Sequence, residues 1–214
     1  MQCAISFSLY GLNPIYVNGA IANSALYKKI YPAWKCIMYV DKNQNKNTIN
    51  RLEKNDVIVK IINRSLLSGM FWRLYALCDS FFTYCIIRDC DSRLNLREYY
   101  AVKEWLKSGK EVHIIKDHKN HTAPIMGGMW GMKYETIRNF ADLLDEVIEK
   151  YENKKISNKI GKHLYGDQLF LKEEIYPLIK EKCLIHTSKN LKYKLPNNGF
   201  IGQIYSAKGI PRNV

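Results

Sequence analysis

The chain has 214 residues, 47% hydrophobic and 12% aromatic, which is enough to bury one sizeable core without disulfides or a structural metal. Twelve Gly and six Pro exclude a low-complexity or fibrous chain, no run nears the roughly 18 apolar residues of a membrane span, and no charged segment followed by an apolar one opens the sequence. A net charge of +13 implies an anionic partner, whether a nucleotide, a nucleic acid or an acidic membrane surface touched peripherally, without choosing among them.

Short β-branched or aromatic runs alternate with helical patterns over the first two thirds of the chain, as in a largely parallel sheet with crossover helices. The expected strands are 4–9, 35–40, 57–62, 83–88 and 111–115, and helices are expected over 17–30 and 69–80. Asn95 with Glu98 three residues on forms a capping box for a helix running through Leu106, which Gly109 ends. Ile137, Phe140, Ala141, Leu144, Val147, Ile148 and Tyr151 recur at helical spacing and predict a helix over 136–151. Residues 153–162 read as a mobile loop, 167–179 as a further helix, and the tail from Lys189 as irregular. Six cysteines are scattered without a C-x-x-C pair, so they are expected to be reduced and inert in a cytoplasmic protein. One domain is expected, consistent with a piece of a longer polypeptide, because the chain ends without an obvious structural stop.

The segment running from Thr83 to Arg93 carries the chemistry. A buried strand there delivers Asp89 and Asp91 at its C-terminal end, the edge at which open α/β sheets bind ligands. Two carboxylates leaving a strand together can converge on one hard cation, magnesium or manganese, shared with diphosphate oxygens. The flanking Arg88 and Arg93 are expected to favour phosphate.

Six segments in order now resemble the small GT-A glycosyltransferases seen in bacterial surface-polysaccharide loci and large DNA viruses of algae. They are Ser8-Leu-Tyr-Gly11, Ser68-Gly-Met-Phe-Trp-Arg-Leu-Tyr75, the Asp89-Cys-Asp91 stretch, Met126-Gly-Gly-Met-Trp-Gly131, Tyr165-Gly-Asp-Gln168 and Ile185-His-Thr-Ser188. The resemblance implies a Rossmann-like α/β domain with a mixed, mostly parallel sheet, a nucleotide-binding half over about 1–95 and an acceptor half over about 96–214. It implies transfer of a sugar from a nucleotide diphosphate sugar, by preference a UDP-hexose or UDP-deoxyhexose, to a glycan, glycoprotein or lipid-linked acceptor, with Mn2+ or Mg2+ as cofactor.

By the same resemblance Leu9, Tyr10 and Gly11 cradle the base and ribose, and Arg73 reaches the diphosphate or donor sugar. Asp89 meets the ribose or the metal, Asp91 is the direct metal ligand, and His186 is a third one. Gly127 and Gly128 let the backbone approach the donor sugar. Trp130 is placed to stack on a sugar face, and Asp117, His118 and His121 to meet an acceptor. Asp167 is the carboxylate at the reacting centre, a base in an inverting enzyme and a stabiliser of the oxocarbenium-like centre in a retaining one.

Two other readings compete. A haloacid-dehalogenase-type phosphatase also sets D-x-D at a strand end with magnesium, but that family usually has its pair on the first strand, and here four strands are predicted before it. A non-catalytic module for nucleic acid or anionic membrane would explain the charge, but no recognised nucleic-acid motif supports it.

Overall fold

The computed structural model describes residues 1–153 and 166–212. Its central strand, β1 (Cys3–Leu9), is buried at all seven positions. It lies between two parallel neighbours, β2 (Lys35–Asp41) and β4 (Tyr84–Arg88). With β3 (Ile58–Ile62), β5 (Val112–Lys116), β6 (Met129–Lys133) and β7 (Cys183–Thr187) they form one sheet in the order β3-β2-β1-β4-β6-β5-β7. Strand β6 runs antiparallel to both β4 and β5, and the other pairings are parallel.

Each face of this sheet has its own core, and β1 shows why the strands read as apolar runs. Ile5, Phe7 and Leu9 pack against α1 (Pro14–Ile30), α2 (Lys46–Lys54) and α3 (Leu96–Ser108), where Tyr27, Leu52 and Trp105 are buried. The opposite face meets the 3-10 stretch Leu66–Cys78 and α4 (Phe140–Glu152) through Phe71, Trp72, Leu144 and Ile148. On that second face β1 presents Ser6 and Ser8, both buried.

The chain passes from β1 outward through β2 to β3, then returns to β4 on the other side of β1. This reversal opens a crevice at the carboxyl ends of β1 and β4. Asp89 and Asp91 follow β4 directly, and Tyr10 follows β1.

The local signals of the sequence hold at α3. Asn95 Oδ1 accepts from the Glu98 amide at 2.9 Å, and Gly109 ends the helix in the left-handed region at φ +75°. The segment expected as a helix over 69–80 is a 3-10 stretch instead. Phe71, Trp72, Arg73 and Leu74 are buried consecutively, which a single apolar stripe of an α-helix does not allow.

The helix expected over 167–179 starts at Asp167 but divides into α5 (Asp167–Phe170), a π-helical turn Leu171–Ile175 and α6 (Tyr176–Ile179). Pro177 lacks the amide that would continue α-helical pairing through this region. From residue 154 onward the expected loop 153–162 lies outside the described residues, as does Tyr165. All six cysteines are free. Among the described residues no helix is long and apolar enough to cross a membrane.

The irregular tail is bolted to the sheet. Arg97 of α3 donates to both Asp117 oxygens at 2.7 and 2.6 Å, and the Ile201 amide donates to the same carboxylate at 2.9 Å. Asp117, expected at an acceptor, is therefore an anchor that is 4% exposed. Asp117→Ala is expected to cost about 3–5 kcal/mol, because it strands a buried guanidinium. A urea unfolding midpoint measures this, and the Arg97→Met/Asp117→Leu pair should lose less than Asp117→Ala alone.

Candidate active site

Arg73 is the hub of the crevice. Its backbone is pinned by β1, the Ser8 hydroxyl accepting from the Arg73 amide at 2.8 Å and the Ser6 hydroxyl donating to its carbonyl at 2.7 Å. The guanidinium, 6% exposed with its residue, spans two carboxylates. It donates through Nη1 to Asp89 and to the Arg88 carbonyl at 3.2 Å, and through Nη2 to Asp167. Burial alone would lower its pKa, but the charges of Asp89 and Asp167 raise it.

The two glycines between β5 and β6 explain why the carboxylates come so close. A Cβ on Gly128 would overlap the Asp89 carboxylate, and one on Gly127 would lie 2.5 Å from Asp167 Oδ2 and 3.0 Å from Arg73 Nη2. Backbone fills the space that a side chain would otherwise take from the acids.

Two carboxylates thus share one guanidinium, and a third, Asp91, lies close enough to feel its charge. Burial, then the charge of Asp89, pushes the Asp91 carboxyl up to about 6, against the pull of Arg73. The Asp167 carboxyl is also raised, first by burial, with Arg73 opposing and Asp89 adding to the shift. The crevice is short of positive charge and would gain from a cation.

Two cavities meet at this cluster. One, of about 240 Å³, is bounded by Ser8, Tyr10, Tyr16 and Met70 together with Arg73, Asp89, Asp91 and Asp167. The other, of about 320 Å³, runs from the same four charged residues past Gly127 and Gly128 to His118, His121 and Phe200. The tail forms a wall of this second cavity, and the Tyr205 amide donates to the Asp91 carbonyl at 2.8 Å.

Arg73, Asp89, Asp91, Gly127, Gly128 and Asp167 therefore stand together, with Tyr10 on one side. Leu9 is wholly buried in β1, and Gly11 turns at φ +67° with its carbonyl held by Gln44. Neither lines the two cavities. His186 is not brought here. It sits in β7 with Nδ1 2.8 Å from His113 Nε2 and Nε2 3.1 Å from Glu104, so both ring nitrogens are engaged. Among the described residues no group of three or more His, Cys, Asp or Glu is arranged to hold a metal.

Three other expectations are corrected by burial or by local pairing. Arg88, 1% exposed, turns away to Glu98 at 3.0 Å, and Tyr31 donates to the same carboxylate oxygen at 3.0 Å. Arg93 bonds the Cys90 and Ser92 carbonyls at 3.2 and 2.8 Å and lies over the Tyr205 ring. Trp130 has no exposed surface on β6 and cannot stack on a sugar.

Among the residues not expected, Ser6 and Ser8 had a readable signal, since they are polar at alternate positions of an apolar strand. Tyr16, Met70 and Phe200 had none, because only the tertiary fold brings them in.

No protein-family model matches the chain, and no curated protein matches it. Among solved structures it is similar to a glycosyltransferase involved in the glycosylation of the major capsid of PBCV-1. The two share 12% identity at a TM-score of 0.53, over 87% of this chain and 82% of that one. A mannosyltransferase from Pyrobaculum calidifontis, in complex with GDP-Man and Mn2+, shares 12% identity at a TM-score of 0.46, over 64% of this chain and 46% of that one. A 4-diphosphocytidyl-2C-methyl-D-erythritol synthase from Anaerococcus prevotii shares 12% identity at 0.49, over 91% and 90%. The last two likenesses are too loose to weigh. The first establishes the fold: this chain is a single GT-A, Rossmann-like α/β domain.

Arg73→Leu is expected to destabilise the protein by about 3–5 kcal/mol, because Asp167 is then buried without its cation. Denaturant titration measures the loss. Asp167→Asn in the Arg73→Leu background should restore part of it, and an unchanged Arg73→Leu midpoint would refute the hub role.

Proposed function

We propose that this GT-A domain is a metal-dependent glycosyltransferase, moving a sugar from a nucleotide diphosphate sugar, by preference a UDP-hexose or UDP-deoxyhexose, to an acceptor hydroxyl. The observation that carries the reading is the crowding of Asp89, Asp91 and Asp167 around one guanidinium at the carboxyl ends of β1 and β4. The residues present fit a hard divalent cation, Mn2+ or Mg2+. Asp89 and Asp91 offer oxygen ligands, Asp167 is paired with Arg73, and no group of three such side chains among the described residues is arranged to hold a metal, which leaves most of the coordination shell for diphosphate oxygens and water. When bound, such an ion neutralises the charge that develops on the departing diphosphate.

The remaining work belongs to the chain. Residues of about 1–95 receive the nucleotide along the smaller cavity, beside Tyr10 and Tyr16. Residues of about 96–214 supply Gly127 and Gly128 under the donor sugar, Asp167 at the reacting centre and the far wall of the larger cavity. Arg73, fixed before the donor arrives, presents a positive group beside the leaving group at no cost of reorganisation.

As the bond from the anomeric carbon to the diphosphate oxygen breaks, a bond forms to the acceptor oxygen. In a transfer that inverts configuration, the hydroxyl proton passes to Asp167. In one that retains it, the hydroxyl proton passes to the departing diphosphate oxygen and the same carboxylate stabilises the oxocarbenium-like centre. The burial that raises the proton affinity of Asp167 suits the role of a base better than that of a solvated helix-end acid.

Asp91→Asn should abolish manganese-dependent binding of UDP in calorimetric titration, whereas Asp167→Asn should keep that binding and lose transfer by at least about a hundredfold. UDP binding that EDTA leaves unchanged, or that Asp91→Asn leaves unchanged, would refute the metal assignment.

A further inference from the structure

The wall of the larger cavity that lies away from Arg73 has its own chemistry. His118 and Phe200 stack with ring centroids 4.3 Å apart and planes 20° from parallel, forming one aromatic plate. His121 meets it edge-on, 5.7 Å from each ring. The plate joins two remote parts of the chain, the loop after β5 and the tail. The Asp117 anchor holds both, through its place in the loop and its bond to the Ile201 amide.

Among the described residues this wall carries no carboxylate, lysine or arginine. Among the described residues three carboxylates, Asp89, Asp91 and Asp167, line the cavity against one guanidinium, Arg73. Burial, then the nearby His118, lowers the His121 pKa to about 4, so this ring is neutral near pH 7. Its Nδ1 is buried without a hydrogen-bond partner, an unmet polar atom on a residue that lines the cavity.

A pyranose matches this lining. Its ring presents C–H groups on one face, suited to an aromatic plate, and a rim of hydroxyls that both donate and accept. Among the described residues no lysine or second arginine lines the cavity, and the acids there disfavour an anion.

The geometry points to a neutral sugar as the acceptor, its ring against the His118–Phe200 plate and a hydroxyl against His121. The inference rests on the donor reading above and narrows its acceptor to an uncharged glycan. Phe200 and His121 become specificity-determining residues.

Saturation-transfer NMR tests this without a donor. Methyl glucopyranosides, galactopyranosides and xylopyranosides are titrated against glucose 6-phosphate, using the full chain, Phe200→Ala and His121→Ala, with thermal unfolding to confirm that each variant is folded. Binding of at least one neutral glycoside, at least tenfold tighter than glucose 6-phosphate and weakened about tenfold or more in either folded variant, is the expected result. Tighter binding of the phosphate, equal binding in wild type and both variants, or no glycoside binding at all would overturn it. A manganese–UDP titration run alongside separates the two readings, since glycoside binding without UDP binding would defeat the donor assignment and leave the sugar wall standing.

Discussion

The site depends on one buried cation held between acids from two ends of the chain. Asp89 follows β4 and Asp167 opens α5, far apart in sequence, yet one guanidinium bonds both. Taking Arg73 out of water is costly, and two carboxylates with a carbonyl are the compensation. Because Ser6 and Ser8 fix its backbone, Arg73 also ties the 3-10 stretch to the central strand. The same few atoms therefore set the packing of one sheet face and the electrostatics of the crevice.

That arrangement leaves the crevice negative in a protein whose net charge is +13. Among the described residues, some basic side chains stand on the surface. Lys28, Lys150 and Lys192 sit on the surface with more than half of their side chains exposed, each paired with an acid. Exposed pairs of this kind contribute little to stability and are screened by salt, so the overall charge acts on encounter with anionic surfaces and not on the chemistry of the site. A net-charge argument and a site argument thus describe different parts of the molecule.

The sheet was legible because its strands are buried on both faces and so appear as apolar runs bounded by polar clusters. Strands β1 to β5 lie within a residue or two of where those runs predict. Strand β6 escaped notice, since Gly131 interrupts it where a Cβ would lie 2.8 Å from the Cys85 carbonyl. Helix α2 escaped because Thr48 and Leu52 are its only buried residues, too few to set a period.

At the site, the acids and glycines could be read from short local patterns. The arginines could not be sorted that way. Arg88 and Arg93 stand next to the acids in sequence and point elsewhere, while Arg73, on a different element, reaches them. Strand alternation decides this. Arg88 falls on the face that carries Ile86 and meets Glu98, whereas the backbone only turns free of the sheet at Asp89.

His186 shows the same limit from the other side. A histidine at the end of a late strand has the sequence profile of a metal ligand, and the fold gives it a different occupation. His113, fully buried and stacked on Trp105, has a pKa lowered by burial and then by the neighbouring His186, so its ring stays neutral and needs a partner for its Nε2. His186 is that partner, and Glu104 holds its other nitrogen. Moving His186 to a metal would leave a buried imidazole nitrogen unpaired, at a cost comparable to a lost buried hydrogen bond. Packing between α3, β5 and β7 thus holds His186 away from the crevice, in an occupation that its sequence position alone does not disclose.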